Sequence, residues 1–242
     1  MYNYKKYLKT YESSFTLPGS KEEISLRPLT TNDMKKLLVY ENENDPLVGE
    51  KILDDILMDT VTTEGFNVDN LYIQDRYYVF IKLREVTKGS KYNFPYKCEK
   101  CKEKSTQTID ISKLNVTEME IKEDKIKVLD NNLTLNMGFF TRGEQKKAYI
   151  NISPNLSNTE KQVEMMLADL ALMVRSIVSP EGEETPEISE KMEFIGDLPQ
   201  QDYDTLMKWK KENDFGIDLT VNLRCKCDYT EKITMPLNDF FA

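Results

Sequence analysis

Four cysteines carry the chemistry that this sequence can offer. Cys98 and Cys101 stand three positions apart among lysines in "YKCEKCKEKS", and Cys225 and Cys227 follow about half a chain later in "LRCKCDYTEK". Thiols so placed can close disulfides, cycle as a redox pair, stay free in a core, or hold a metal as thiolates. A reducing compartment discourages disulfides, and a redox CxxC opens a helix after the strand of a βαβ unit. Here the alternating, strand-like "STQTIDI" follows instead. Two such pairs brought together supply four thiolates, the ligand set of a closed structural zinc site with Zn–S distances of about 2.3 Å. Free structural cysteines are the remaining alternative, and the CxC spacing of the second pair requires a tighter knuckle than CxxC.

The two pairs sit in matching contexts. "FPYKCEKCKEKSTQTIDISKL" and "VNLRCKCDYTEKITMPLNDFF" each run from an apolar strand through a basic residue, a cysteine pair and a charged turn into an alternating return strand. This weak internal repeat reads as two β-hairpins with cysteines at their tips.

The rest of the chain must position those tips. "EISLRPLT" reads as a strand from Glu23 to Thr30, and Thr31 as the cap of a helix through "NDMKKLLVYENE". Asp45 caps a second helix, with Pro46 at its first position and Leu53, Ile56, Leu57 and Val61 along one stripe. A third, capped by Asp69 or Asn70 and stopped near Gly89, is apolar almost all round from Leu71 to Leu83, as a central helix is. Asp75, Arg76 and Arg84 inside it are either a buried ionic site or, more blandly, intramolecular pairs and snorkelling side chains. Short strands occupy 115–138 around "DNN". A methionine-rich helix from Thr159 to Val178, capped by Asn158 or Thr159, carries Val163, Met166, Leu167, Leu170, Val174 and Ile177 in a stripe. "SPEGEETPEISE" reads as an acidic flexible loop, and two short helices, "KMEFIGDL" and "PQQDYDTLMKWKKEND", precede the second hairpin.

The expectation is an α+β fold, an N-terminal helical bundle with β-hairpins forming a zinc-ribbon-like element. By segment, 1–90 is an N-terminal strand and helical region, and 91–138 the first cysteine-knuckle hairpin with short strands. Residues 139–216 form a helical region with an acidic loop at 179–190, and 217–242 the second knuckle hairpin.

Composition narrows the function. The net charge of −9, from 33 basic and 42 acidic residues, repels phosphate backbones and anionic membranes. No stretch approaches the ~20 apolar residues that span a bilayer, and "MYNYKKYLKT" lacks the apolar run of a signal peptide. The expectation is a soluble protein of a reducing cytoplasm with neither nucleic acid nor membrane as partner. Histidine is absent, which removes the commonest general base, and the sequence has no P-loop, GxSxG or HExxH. An enzyme is not expected. Lys97, Lys100, Lys102, Lys104, Arg224 and Lys226 surround the cysteines, so a zinc-ribbon nucleic-acid-binding protein is the alternative reading. The blander cause of such a collar is that it offsets the negative charge of a tetrathiolate zinc centre.

Order and motif together resemble a known family. "FTLPGSKEEISLRPLTTNDMKKLL", with its "LP" segment, strand ending in "RPLT" and helix, and "NLYIQDRYYVFIKLREVTKGSKYNFPYKCEKC", a helix leading to a knuckle, are similar to the baseplate hub and tail assembly proteins of T4-like contractile-tailed phages. The closing "CKCDYTEKITMPLNDFF" resembles that family's second knuckle. The resemblance spans 15–114 and the last 25 residues. It implies a late morphogenesis protein that helps to build the baseplate hub, as a minor component of the virion tail or as a chaperone-like factor acting in the host cytoplasm. Its partners would then be other tail proteins, a hub or tape-measure component, met through the 159–178 helix and the acidic loop. A metal held by Cys98, Cys101, Cys225 and Cys227 would be structural Zn2+, since four thiolates leave no open position for substrate.

Overall fold

A computed structural model describes residues 12–237 and 240–241; the N-terminal "MYNYKKYLKT" lies outside the described residues. The described chain is a mixed fold of seven α-helices and small antiparallel sheets.

Local signals start most of the helices. Thr30, one residue earlier than expected, closes a capping box with Asp33 ahead of α1 (Thr31–Glu41). Asp45 caps α2 (Pro46–Thr60), as its place before Pro46 predicts. Asp69 and Asn70 are not caps of the third helix; they belong to a 3-10 turn, Val68–Asn70, whose Asp69 N–H donates to the Asn67 side chain. α3 (Ile73–Lys88) starts after Tyr72 without a side-chain cap and ends at Gly89, whose φ of 84° disfavours any residue with a Cβ. α4 (Arg142–Tyr149), which the hydrophobic pattern gave no reason to expect, opens on a Thr141–Glu144 capping box. Ser157, rather than Asn158 or Thr159, caps α5 (Asn158–Met173).

The strands pair as three hairpins, one two-stranded pair distant in sequence, and one larger sheet. β1 (Ser13–Thr16) pairs with β2 (Glu23–Leu26), which stops short of the expected Thr30 ahead of Pro28. β3 (Lys91–Lys97) pairs with β4 (Lys104–Asp110), β5 (Val116–Thr117) with β10 (Gly216–Ile217), and β11 (Thr220–Arg224) with β12 (Thr230–Thr234). β6 (Lys125–Val128), β7 (Leu133–Met137), β8 (Val174–Ser179) and β9 (Gly182–Glu184) form a four-stranded antiparallel sheet in that order. The expected helix to Val178 therefore ends at Met173, because the β-branched Val174, Ile177 and Val178 join the sheet. The expected loop at 179–190 is likewise largely ordered: β9 returns against β8 and α6 (Ile188–Gly196) has begun. α7 (Gln200–Asn213) follows.

Two cores result. α2, α3 and the inward faces of β2, β3 and β11 enclose the first, with Val79, Leu83, Phe94 and Leu223 inside. The second sits between the four-stranded sheet and α5, α6 and α7, around Leu135, Leu170, Leu206 and Trp209. α3 is buried on most of its circumference, which explains its nearly continuous apolar sequence.

The charged residues of α3 have separate partners. Asp75 accepts hydrogen bonds from the backbone N–H groups of Gly19 and Ser20, at 2.7 and 2.9 Å. Burial still holds its carboxyl above the usual range against those two donors. Arg84 donates to the carbonyls of Gly89 and Lys91, tying the end of α3 to the start of β3. Arg76 pairs with acids of α2. A Cβ on Gly19 would lie 2.6 Å from an Asp75 oxygen and from the Phe215 ring, so this glycine is required by close approach. Gly19→Ala is expected to cost about 2 kcal/mol through overpacking, read as a lower thermal midpoint; an unchanged midpoint would mean that the "LPGS" segment relocates freely.

Candidate metal centre

Strand alternation aims the cysteines. Along β3, Tyr92, Phe94 and Tyr96 point into the first core, and Cys98 continues that inward row at the hairpin tip. Along β11, Val221 and Leu223 do the same, and Cys225 continues the row. The Tyr96 hydroxyl donates to Glu231 of β12, and Tyr92 OH donates to the Pro236 carbonyl at 2.9 Å, so the first hairpin is fastened to the second beside the tips.

The turns are built alike but differ by one residue. The first ladder ends at Lys97↔Lys104 and leaves 98–103 for the turn; the second ends at Arg224↔Thr230 and leaves 225–229, one residue fewer. In the first, Lys102 N–H returns to Cys98 O at 2.9 Å and Lys102 sits at φ 60°. In the second, Asp228 N–H returns to Cys225 O at 2.9 Å and Asp228 sits at φ 63°. A turn shortened by one position is why the second pair reads CxC: both knuckles return through a left-handed residue just after the second cysteine.

The two tips meet. Cys98 Sγ lies 3.8 Å from Cys227 Sγ, Cys101 Sγ lies 3.6 Å from Cys225 Sγ, and all four sulfurs fall within 4.8 Å of one another. A regular tetrahedron of sulfurs about 2.3 Å from a central zinc has edges of about 3.8 Å, whereas a disulfide needs about 2.05 Å. The four thiols are free, and both of these short contacts join one hairpin to the other. Cys98 and Cys225 are buried, Cys227 half-buried and Cys101 exposed, so the cluster lies at the margin of the first core.

Its electrostatics fit a cation. At Cys98 burial favours the thiol, but backbone N–H groups of Cys101 and Lys100 and neighbouring thiols prevail and bring it down to about 6. At Cys225 the Cys227 N–H favours the thiolate, yet burial and three sulfur neighbours prevail and push it up to about 12. One thiolate is thus readily held, and a set of four needs positive charge among them. All six side chains of the basic collar are exposed, and Lys102 pairs with Glu99 at 3.0 Å and Arg224 with Asp228 at 2.8 Å.

A second constellation went unread in the sequence. Asp54 of α2, buried, is contacted by Arg76, Arg142 and Lys146 at 2.9 to 3.2 Å. Arg142 also reaches Gln145, whose amide donates to Asp169 at 2.8 Å, as does Tyr149 OH. Arg76 is thus one member of an intramolecular network joining α2, α3, α4 and α5. The available signal was Asp54 inside an apolar stripe, together with the Thr141–Glu144 box that marks α4.

No helix among the described residues is long and apolar enough to cross a membrane. No curated protein and no solved structure matches the chain. The family model described as T4 bacteriophage base plate protein matches residues 9–242, which takes in α1 to α7 and both cysteine hairpins. The chain belongs to the T4 bacteriophage base plate protein family.

Proposed function

We propose that this protein is a non-enzymatic morphogenesis factor of a contractile phage tail that assists or joins the assembly of the baseplate hub, and that its two hairpins are clasped by a structural zinc ion. The family match over nearly the whole chain carries the assembly reading. The four sulfurs within 4.8 Å of one another support the metal, with Cys98, Cys101, Cys225 and Cys227 as its ligands. Zinc bound there would supply cross-linking charge and no open coordination position. The clasp would hold two turns, 124 to 129 residues apart in sequence, that contribute to one core.

Function then lies in surfaces that meet other tail proteins, in the host cytoplasm during assembly or in the tail itself. Co-expression with the tail proteins of the same phage is expected to yield a complex that survives purification. If a nucleic acid fragment co-purifies in a salt-sensitive way and no tail protein does, the assembly reading fails. The zinc-ribbon nucleic-acid reading has less support, because Glu99, Glu103, Asp228 and Glu231 are interspersed with the basic collar.

A further inference from the structure

We propose that the cleft between α1–α3 on one side and α5 and α7 on the other is the docking site for a lysine- or arginine-bearing amphipathic segment of another tail protein. This rests on the assembly reading and names the surface and the partner chemistry that it requires. The cleft has a volume of about 910 Å³, and its apolar lining includes Tyr40, Tyr77, Phe80, Phe140, Met165 and Met173. Tyr40 and Tyr77 are 37% and 48% exposed, so large aromatic surface is left in water there. Along α5 the residues that line it are Gln162, Met165, Asp169 and Met173. That one face of three turns is roughly 17 Å long, the length that a partner helix of similar size would cover.

Charge decides the occupant. Six carboxylates line the cleft against one lysine, Lys210. Two of the six are committed: Asp45 to Lys161, and Glu50 to Arg76. The other four, Glu41, Glu43, Asp169 and Asp214, have no ion-pair partner among the described residues. An apolar lining interspersed with carboxylates repels nucleic acid and acidic peptides and selects a segment that carries both apolar and basic residues.

The test uses the full chain and a fluorescent 14-residue helix-forming peptide of leucine and lysine, with leucines at helical spacing, beside the same peptide carrying glutamate in place of lysine. The lysine peptide should bind in a salt-sensitive way and the glutamate peptide should not. Glu41→Gln, Glu43→Gln and Asp214→Asn combined keep the local acceptor oxygens and should weaken binding about tenfold with the thermal midpoint unchanged. Met165→Glu should weaken it independently. Equal binding of both peptides, or full affinity in the triple variant, overturns the proposal. Self-association of the free chain that Met165→Glu abolishes would also overturn it, assigning the cleft to a second copy. In co-expression, a triple variant that captures tail proteins as well as the wild type removes the cleft and leaves the assembly reading standing. A wild type that captures none while still binding the lysine peptide removes the assembly reading alone.

Discussion

Cys98→Ser should release the metal and lower the thermal midpoint by roughly 10 °C, which for a chain of this length corresponds to about 3–5 kcal/mol. Wild-type protein purified without added metal should carry one zinc per chain by elemental analysis, and the variant almost none. The loss is smaller than the whole binding free energy of a thiolate zinc site because the hairpins do not depend on the metal alone. Tyr96 still donates to Glu231, and Tyr92 still reaches Pro236. Cys98 is the informative position. It is buried and continues the inward row of β3, so its loss opens the first core at the point where the two tips meet. Limited proteolysis should cut the variant first in the β3–β4 and β11–β12 hairpins, since each is a two-stranded sheet with no further strand to hold it. Chelation of the wild type should reproduce that pattern. Identical protease resistance with and without metal would show that the metal does not hold the hairpins together.

The hairpins were legible because a period of two and a cysteine pair are short-range signals that tertiary packing does not alter. What the sequence could not reveal is why one pair is CxxC and the other CxC, since turn length appears only in the strand register, Lys97↔Lys104 against Arg224↔Thr230. Helix starts were displaced by one residue at Thr30 and by one or two at Ser157, where a neighbouring Thr or Asn also offers a capping side-chain oxygen. The end of α5 was hidden for a different reason. Val174 and Ile177 continue the helical stripe by spacing, and only pairing with β7 turns them into a strand. The membership of "SPEGEETPEISE" in a hairpin was equally invisible, because β9 is three exposed residues held by β8. α4 was missed because its sequence, "RGEQKKAY", buries polar and charged residues: Arg142 and Gln145 lie inside along with Ala148 and Tyr149. Apolar periodicity cannot find a helix that is anchored through ions.

That anchoring gives the second large expected effect. Arg142→Ala should destabilise the protein by about 3 kcal/mol, the low end for breaking a buried pair, because buried Asp54 loses one of its three counter-charges. Arg142 Nε lies 3.0 and 3.1 Å from the Asp54 oxygens and its Nη2 lies 3.0 Å from Asp54 Oδ2. After its removal, Arg76 and Lys146 remain beside Asp54, and Glu50 keeps Arg76. The pH dependence separates this account from simple loss of packing. Burial pushes the Asp54 carboxyl up, but Arg76, Arg142 and Lys146 outweigh it and hold it below its ordinary value. A carboxyl depressed in the folded state adds stability above its unfolded pKa, near 4, and loses that contribution as pH falls through the folded value. Without Arg142 the opposition to burial weakens, the folded value rises, and the acid-unfolding midpoint should move to higher pH. Arg142→Met, which restores apolar bulk but no charge, should show the same acid shift with a smaller loss at neutral pH. If both variants lose stability by an amount that does not change between pH 3 and pH 7, the ion pairs contribute only shape, and the junction of α2, α3 and α4 is held by packing.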